Sequence, residues 1–174
     1  MSYNNLKSIS PLDGRYSEKV SELRDIFSEY GLIKYRVFIE IKWLQHLSSI
    51  NDLKELPEFN SDLDKKLKSI LNSFGIDQAR EIKKIESVTN HDVKAIEYFL
   101  RDSLKDYDSI EGFIHFGCTS EDINNLSYAL MFREARENIL LPMMKDIKTA
   151  LTDITDKYFD TPMISRTHGQ TASP

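Results

Sequence analysis

The feature that most restricts the fold is an apolar stripe in the last third of the chain. Leu126, Leu130, Leu140, Met144, Ile147, Leu151, Ile154 and Tyr158 follow at three- and four-residue steps, once Arg133 and Glu137 fill the places between Leu130 and Leu140. Residues at such steps share one face of an α-helix, and this alternation is used where long helices pack at small crossing angles in bundles. Beginning near Ser120, a helix of roughly 35 residues would span about 50 Å. Pro142 falls inside it and removes a hydrogen bond from the ladder, which predicts a kink or a loosened turn. Such a helix cannot cover its own stripe, and the preceding segment reads as too compact to do so. The missing surface is expected from later segments of chain or from other subunits.

Upstream the pattern is helix after helix. Over residues 17–47 the chain is long and apolar. Val37, Ile39, Ile41 and Trp43 alternate as in a strand, Ile33, Val37, Ile41 and Leu44 recur at helical spacing, and the length of the run favours helix. Asn60 or Ser61 predicts an N-cap ahead of the stripe Leu63, Leu67, Ile70, Leu71 and Phe74, with Gly75 as the stop. Asp77 predicts the cap of a further helix, and Val93, Ile96, Phe99, Leu100 and Leu104 form another stripe. The expected fold class is all-α: a compact N-terminal helical domain over residues 1–111, then the first long helix of a helical-bundle domain in residues 112–174.

The balance of 23 basic against 28 acidic residues gives a net charge of −5, spread along the chain. A nucleic-acid surface needs clustered Lys and Arg to displace counterions, so none is expected, while a single phosphate on a small ligand needs only one Arg and a few amides. Cys118 is the only cysteine, which rules out an intrachain disulfide and a cysteine-based metal site and fits a reducing, cytoplasmic compartment. Neither a run of about 18 apolar residues nor a basic stretch followed by an apolar one occurs, so no membrane partner is expected.

Four polar clusters carry possible chemistry. In "SPLDGRY", Arg15 follows a glycine turn and can pair bidentately with a phosphate beside the Tyr16 hydroxyl; the plainer reading is a solvated surface turn. In "TNHDVK", Asn90 reads as an N-cap with His91 and Asp92 in the first turn, where anionic ligands are favoured; a cap needs no function to explain it. In "HFGCTSEDINN", Thr119 or Ser120 reads as a cap, with Glu121 and Asp122 complementing the helix dipole. That leaves the second hydroxyl and the pair Asn124 and Asn125 unexplained. Hydroxyls and amides at such an end can bind a carboxylate, provided the two acids turn away. In "SRTHGQ", His168 lies between a hydroxyl and a glycine, with an amide beyond, and histidine trades protons near neutral pH; a lone surface histidine is the equal alternative. The histidines at 46, 91, 115 and 168 show no metal-ligand spacing. His46 reads as helix surface and His115 stays open.

Taken together, in this order and at these separations, the clusters resemble the adenylosuccinate lyase family of the fumarase/aspartase superfamily. The resemblance runs from "ISPLDGRYSEKVSELRDIFSEYGLIKYR" through "TNHDVKAIEYFL" and "CTSEDINNLSYALM" to "SRTHGQ", and covers the N-terminal portion of such an enzyme. It implies β-elimination of fumarate from adenylosuccinate to leave AMP, and the analogous cleavage of the succinyl-carboxamide ribotide, in purine nucleotide biosynthesis. It also implies a cytoplasmic homotetramer without a cofactor. By resemblance Arg15 and Tyr16 hold the substrate phosphate, and Asn90, His91 and Asp92 meet the nucleotide, His91 aiding proton transfer. Thr119 and Ser120 bind the succinyl carboxylate, Thr167 positions the substrate, and His168 is the catalytic acid. Thr171 stands where the family often has proline. The family's general base, a serine in an "SSxMPxKxN" loop, has no counterpart among these 174 residues, so the chain alone is expected to be inactive. Two other readings stay open: another fumarate-releasing lyase of the superfamily, and a non-catalytic helical oligomerisation module. Metal analysis of the purified protein is expected to find no stoichiometric zinc; one zinc per chain would overturn that expectation.

Overall fold

In the computed structural model, which describes residues 7–173, the chain divides after Ala135 into two compact units. The first unit is organised round a helix buried on most sides, α2 (Glu29–Ser48). Before it come a series of turns, a 3-10 turn at Ser21–Leu23 and the short helix α1 (Arg24–Phe27). The single helix expected over residues 17–47 is therefore broken at Ser28. Its backbone is extended there (φ −78°, ψ 171°), and its Oγ accepts the Gly31 N–H at 3.2 Å, which makes it the N-cap of α2. Gly31 permits the break to close tightly, since a Cβ at that position would lie 2.2 Å from the Ile26 carbonyl oxygen.

The mixed periodicity of this stretch has a physical cause. One side of α2 buries Ile33, Val37, Ile41 and Leu44 in the main core, while Arg36, Ile39 and Glu40 are buried on another. A helix enclosed nearly all round shows no clean 3.6-residue stripe.

Around α2 pack α3 (Ser61–Asn72), α4 (Ile76–Thr89), α5 (Asp92–Ser103) and α6 (Ser120–Ala135), with a 3-10 turn at Asp108–Phe113. Asn60 caps α3 as expected, accepting from Asp62 and Leu63 N–H at 3.1 and 2.9 Å. Leu63 and Leu67 reach the main core. Gly75, rather than Asp77, stands at the N-cap of α4, where its N–H donates to Gln78 Oε1 at 2.9 Å. All five residues of the α5 stripe, Val93, Ile96, Phe99, Leu100 and Leu104, are buried. A second, smaller core joins Ile39 of α2, Val93 of α5 and Ile123 of α6, with Phe38, Cys118 and Leu130 against it. It wedges these three helices together where the polar clusters begin.

The buried face of α6 is Ile123, Ser127, Met131 and Ala135. Leu126, placed by the sequence on the long stripe, is 53% exposed, whereas Leu130, one turn further along the same stripe, packs against the smaller core, so the stripe enters the buried face of α6 only in part.

The second unit opens with a π turn (Arg136–Leu140), continues as α7 (Leu141–Tyr158) and ends in a two-residue hairpin, β1 (Arg166–Thr167) and β2 (Gln170–Thr171). The expected loosening at Pro142 takes the form of this π turn. A proline ring collides with the carbonyl four residues back, here Asn138, and the wider turn removes that carbonyl from α register. In α7 the stripe residues Met144, Ile147, Leu151 and Ile154 are all exposed, and none of its residues is buried. Among the described residues no helix is long and apolar enough to cross a membrane.

Gly31→Ala is expected to cost more than about 2 kcal/mol in urea unfolding, because a backbone carbonyl cannot yield as a side chain does. An unchanged midpoint would show that α1 and α2 do not need this close approach.

Candidate active site

Three polar residues at i, i+4 and i+7, namely Arg36, Glu40 and Trp43, give α2 a polar side facing the region around α6. Arg36 is almost fully buried and forks between two helices. Its Nη2 pairs with Asp92 Oδ2 at 2.6 Å on α5, and its Nε donates to Asn124 Oδ1 at 2.9 Å on α6. Glu40, with no exposed side-chain surface, bonds His115 Nδ1 at 2.6 Å. Trp43 Nε1 donates to the Phe116 carbonyl at 2.7 Å. The loop before α6 and the start of that helix are thus fastened to one side of α2.

Two of the sequence clusters are brought together by this arrangement. Asn90 is not the N-cap that its sequence position suggests: it is the left-handed residue ending α4 (φ 52°), and its N–H donates to the Glu86 carbonyl at 2.8 Å. Asparagine tolerates that conformation better than most residues. The N-cap of α5 is His91, whose Nδ1 accepts the Lys94 N–H at 3.1 Å. That bond assigns the ring proton of neutral His91 to Nε2, on a half-exposed side chain. Next to it, Asp92 Oδ1 accepts the Val93 N–H at 2.8 Å while Oδ2 holds Arg36. Burial opposes the charged form of Asp92, but the Val93 N–H and the Arg36 guanidinium outweigh it and hold its carboxyl below the usual carboxylate range.

At the start of α6 the two acids are exposed but engaged by local partners. Asp122 Oδ2 accepts the Thr119 N–H at 2.8 Å, and the Asp122 N–H donates to the Thr119 carbonyl at 3.0 Å. Asn125 Nδ2 holds Glu121 Oε1 at 2.9 Å, and Asn124 Nδ2 approaches Glu121 Oε2 at 3.4 Å. The asparagine pair that capping left unexplained therefore ties down Glu121 and receives Arg36. The hydroxyls of Thr119 and Ser120 enter no hydrogen bond among the described residues.

The other two clusters belong to other segments of the chain. Arg15 and Tyr16 are exposed on the N-terminal turns, with the guanidinium carbon 5.6 Å from the Tyr16 ring centroid. Thr167 and His168 lie in the second unit, where Thr167 pairs with Gln170 across the hairpin. His168 (φ 49°) and Gly169 (φ 76°) form the tip, with the positive φ values of a type I′ turn. The positive-φ non-glycine residues among those described are Asn90, His115 and His168. All three fall inside the polar clusters, and such uncommon conformations gather at sites where the fold over-determines the backbone.

Glu40, His115 and Cys118 place their donor atoms within 4.8 Å of one another. Ligands about 2.1 Å from one ion stand roughly 3 Å or more apart, so the 2.6 Å bond between Glu40 and His115 is a direct ion pair or hydrogen bond. Burial pushes the Glu40 carboxyl up against the opposing pull of His115. Burial, followed by the charges of Glu40, Asp122 and Glu97, pushes the Cys118 thiol up to about 11.

Sequence reasoning missed Arg36 and Glu40 as site-building residues. Their signal was two charged residues one helical turn apart within residues 35–41, whose other members, Tyr35, Val37, Phe38, Ile39 and Ile41, are apolar or aromatic.

Compared with known proteins, residues 14–174 match a family described as lyase. The chain belongs to that lyase family. Among its relatives, the adenylosuccinate lyase of Escherichia coli (strain K12) is 49% identical over 177 aligned residues, covering 100% of this chain and 39% of the relative. The adenylosuccinate lyases of Vibrio cholerae and Haemophilus influenzae are 46% and 48% identical over the same coverage. The chain thus spans 39% of the length of these relatives.

Two solution measurements follow from the site. Because the folded-state carboxyl of Asp92 sits below its ordinary value of 3.8, its contribution to stability is present above that value and is lost as pH falls through the lower, folded one. Urea unfolding of wild type and Asp92→Asn should converge on acidification below pH 4 or so, and parallel curves would mean that the Arg36 pair contributes no pH-dependent stability. Cys118 should react with iodoacetamide at pH 8 on the order of 100-fold more slowly than a free thiol, with the rate still climbing above pH 10. Ordinary thiol kinetics would contradict the protected setting.

Proposed function

We propose that this chain is the N-terminal portion of an adenylosuccinate lyase, a carbon–nitrogen lyase that releases fumarate from adenylosuccinate to leave AMP and cleaves the succinyl-carboxamide ribotide in the same way. The observation that carries this reading is identity of 46–49% along the whole chain to relatives bearing that name. The convergence of the α5 and α6 starts on one side of α2 supports it. In the reaction a base removes a proton from the succinyl carbon, the carboxylate-stabilised anion expels nitrogen, and an acid protonates that nitrogen.

In this scheme Arg15 and Tyr16 take the phosphate, and the start of α5, with Asn90, His91 and Asp92, meets the nucleotide. Thr119 and Ser120 offer free hydroxyls and helix-end amides to the succinyl carboxylate, an arrangement favoured by the engagement of Glu121 and Asp122 elsewhere. His168 supplies the proton to the leaving nitrogen and Thr167 positions the substrate. The base is the serine of the family's downstream loop. No metal or cofactor takes part. Residues 1–111 form the N-terminal domain and 112–174 open the central helical bundle, whose stripe is covered in a cytoplasmic homotetramer engaged in purine biosynthesis.

Fumarate release is the direct test, run on the 174-residue chain and on the intact gene product that contains it. The short chain should show negligible turnover and the intact product ready turnover, since losing one member of a cooperating catalytic set costs orders of magnitude. His168→Ala in the active protein should lower kcat by about 10²–10⁴-fold. Inactivity of the intact product on both substrates would overturn the reading.

A further inference from the structure

Arg36 is the buried cation that touches both helix starts in the first unit, and neither of its partners is an ordinary surface acid. Asp92 commits one oxygen to the Val93 N–H at 2.8 Å and the other to Arg36 at 2.6 Å. Asn124 turns its oxygen to Arg36 Nε at 2.9 Å and its amide towards Glu121. We propose that Arg36 is the positioning residue of the site: through Asp92 and Asn124 it fixes the start of α5, which carries His91, relative to the start of α6, which carries Thr119 and Ser120. This rests on the lyase reading for its catalytic consequence and on geometry alone for its structural one.

Asp92 serves both ends of this tie: one bond on each oxygen fixes its carboxylate between the α5 start and Arg36, and its remaining lone pairs still face outward from a side chain that is 44% exposed. A guanidinium suits the task because its planar fork sends separate N–H groups to two helices at once, whereas the ammonium of lysine is a single compact charge. The small apolar core of Ile39, Val93 and Ile123 holds the same three helices together. Apolar packing tolerates sliding that directional hydrogen bonds do not, so the core supplies cohesion and Arg36 sets the register. A shift of about 1 Å between the groups that handle substrate can cost on the order of 10²-fold in rate.

The test compares Arg36→Gln, Arg36→Lys and a control, Leu67→Ala, in the intact gene product. Leu67 is fully buried in the main core and belongs to no part of the site. Arg36→Gln should lower kcat on the order of 10²-fold while KM changes less than about threefold. Arg36→Lys should recover only part of the loss. Leu67→Ala should keep its kcat at an assay temperature where all variants remain folded, even where its melting temperature falls further. Equal losses in Leu67→Ala and Arg36→Gln, or an unchanged kcat in Arg36→Gln, would overturn the inference. Wild type that releases no fumarate would instead refute the lyase reading, and the positional claim would then be decided by histidine NMR. In that measurement Arg36→Gln should shift the His91 ring resonances and leave those of His46 in place; unshifted His91 resonances would overturn it.

Discussion

A guanidinium removed from water has to be matched group for group, and in this chain that requirement falls on Arg36. Removing an ion from solvent costs several kcal/mol even after relaxation, so a buried pair does little for net stability. Its effect is geometric. One charge satisfied by Asp92 on α5 and Asn124 on α6 leaves few relative placements of those helices in which nothing is left unpaired. Glu40 repeats the device one turn along α2 with His115, and Trp43 adds a third tie at Phe116. The main core on the other side of α2 could be rebuilt from other apolar residues of similar volume without moving the backbone far. The polar side has no comparable freedom.

Much of the fold was legible in the sequence wherever one rule acted alone. The α3 stripe and its Asn60 cap, the α5 stripe and the predominantly helical character of the described residues came from spacing and capping chemistry. The α2 segment was harder, because enclosure on most sides erases the contrast between faces on which periodicity depends. Asn90 was misplaced by one position for a related reason: asparagine suits both a helix start and a left-handed helix end, and composition does not separate the two. Of the site, the residue types in four clusters were visible, and so was the chemistry they permit. That α2 joins the second cluster to the third was not, because Arg36 and Asn124 are 88 residues apart and neither position carries a local signal of the other.

Pro142 shows how an unfavourable residue can be absorbed without ending a helix. A single wide turn over Arg136–Leu140 takes up the disturbance and α7 resumes at once. Within α7 the apolar residues keep their three- and four-residue spacing, and Met144, Ile147, Leu151 and Ile154 line one face.

The backbone at His168 has a consequence for how this protein can be altered. A positive φ at the first position of a type I′ tip is most comfortable for glycine or asparagine, and histidine occupies it at some conformational cost. Selection for thermal robustness alone would therefore push this position away from histidine, and a consensus or stability-guided redesign that ignored chemistry would discard the imidazole early. Under the proposed role of His168, the hairpin tip is a place where durability and turnover make opposite demands on a single residue, and the native choice records which of them has prevailed.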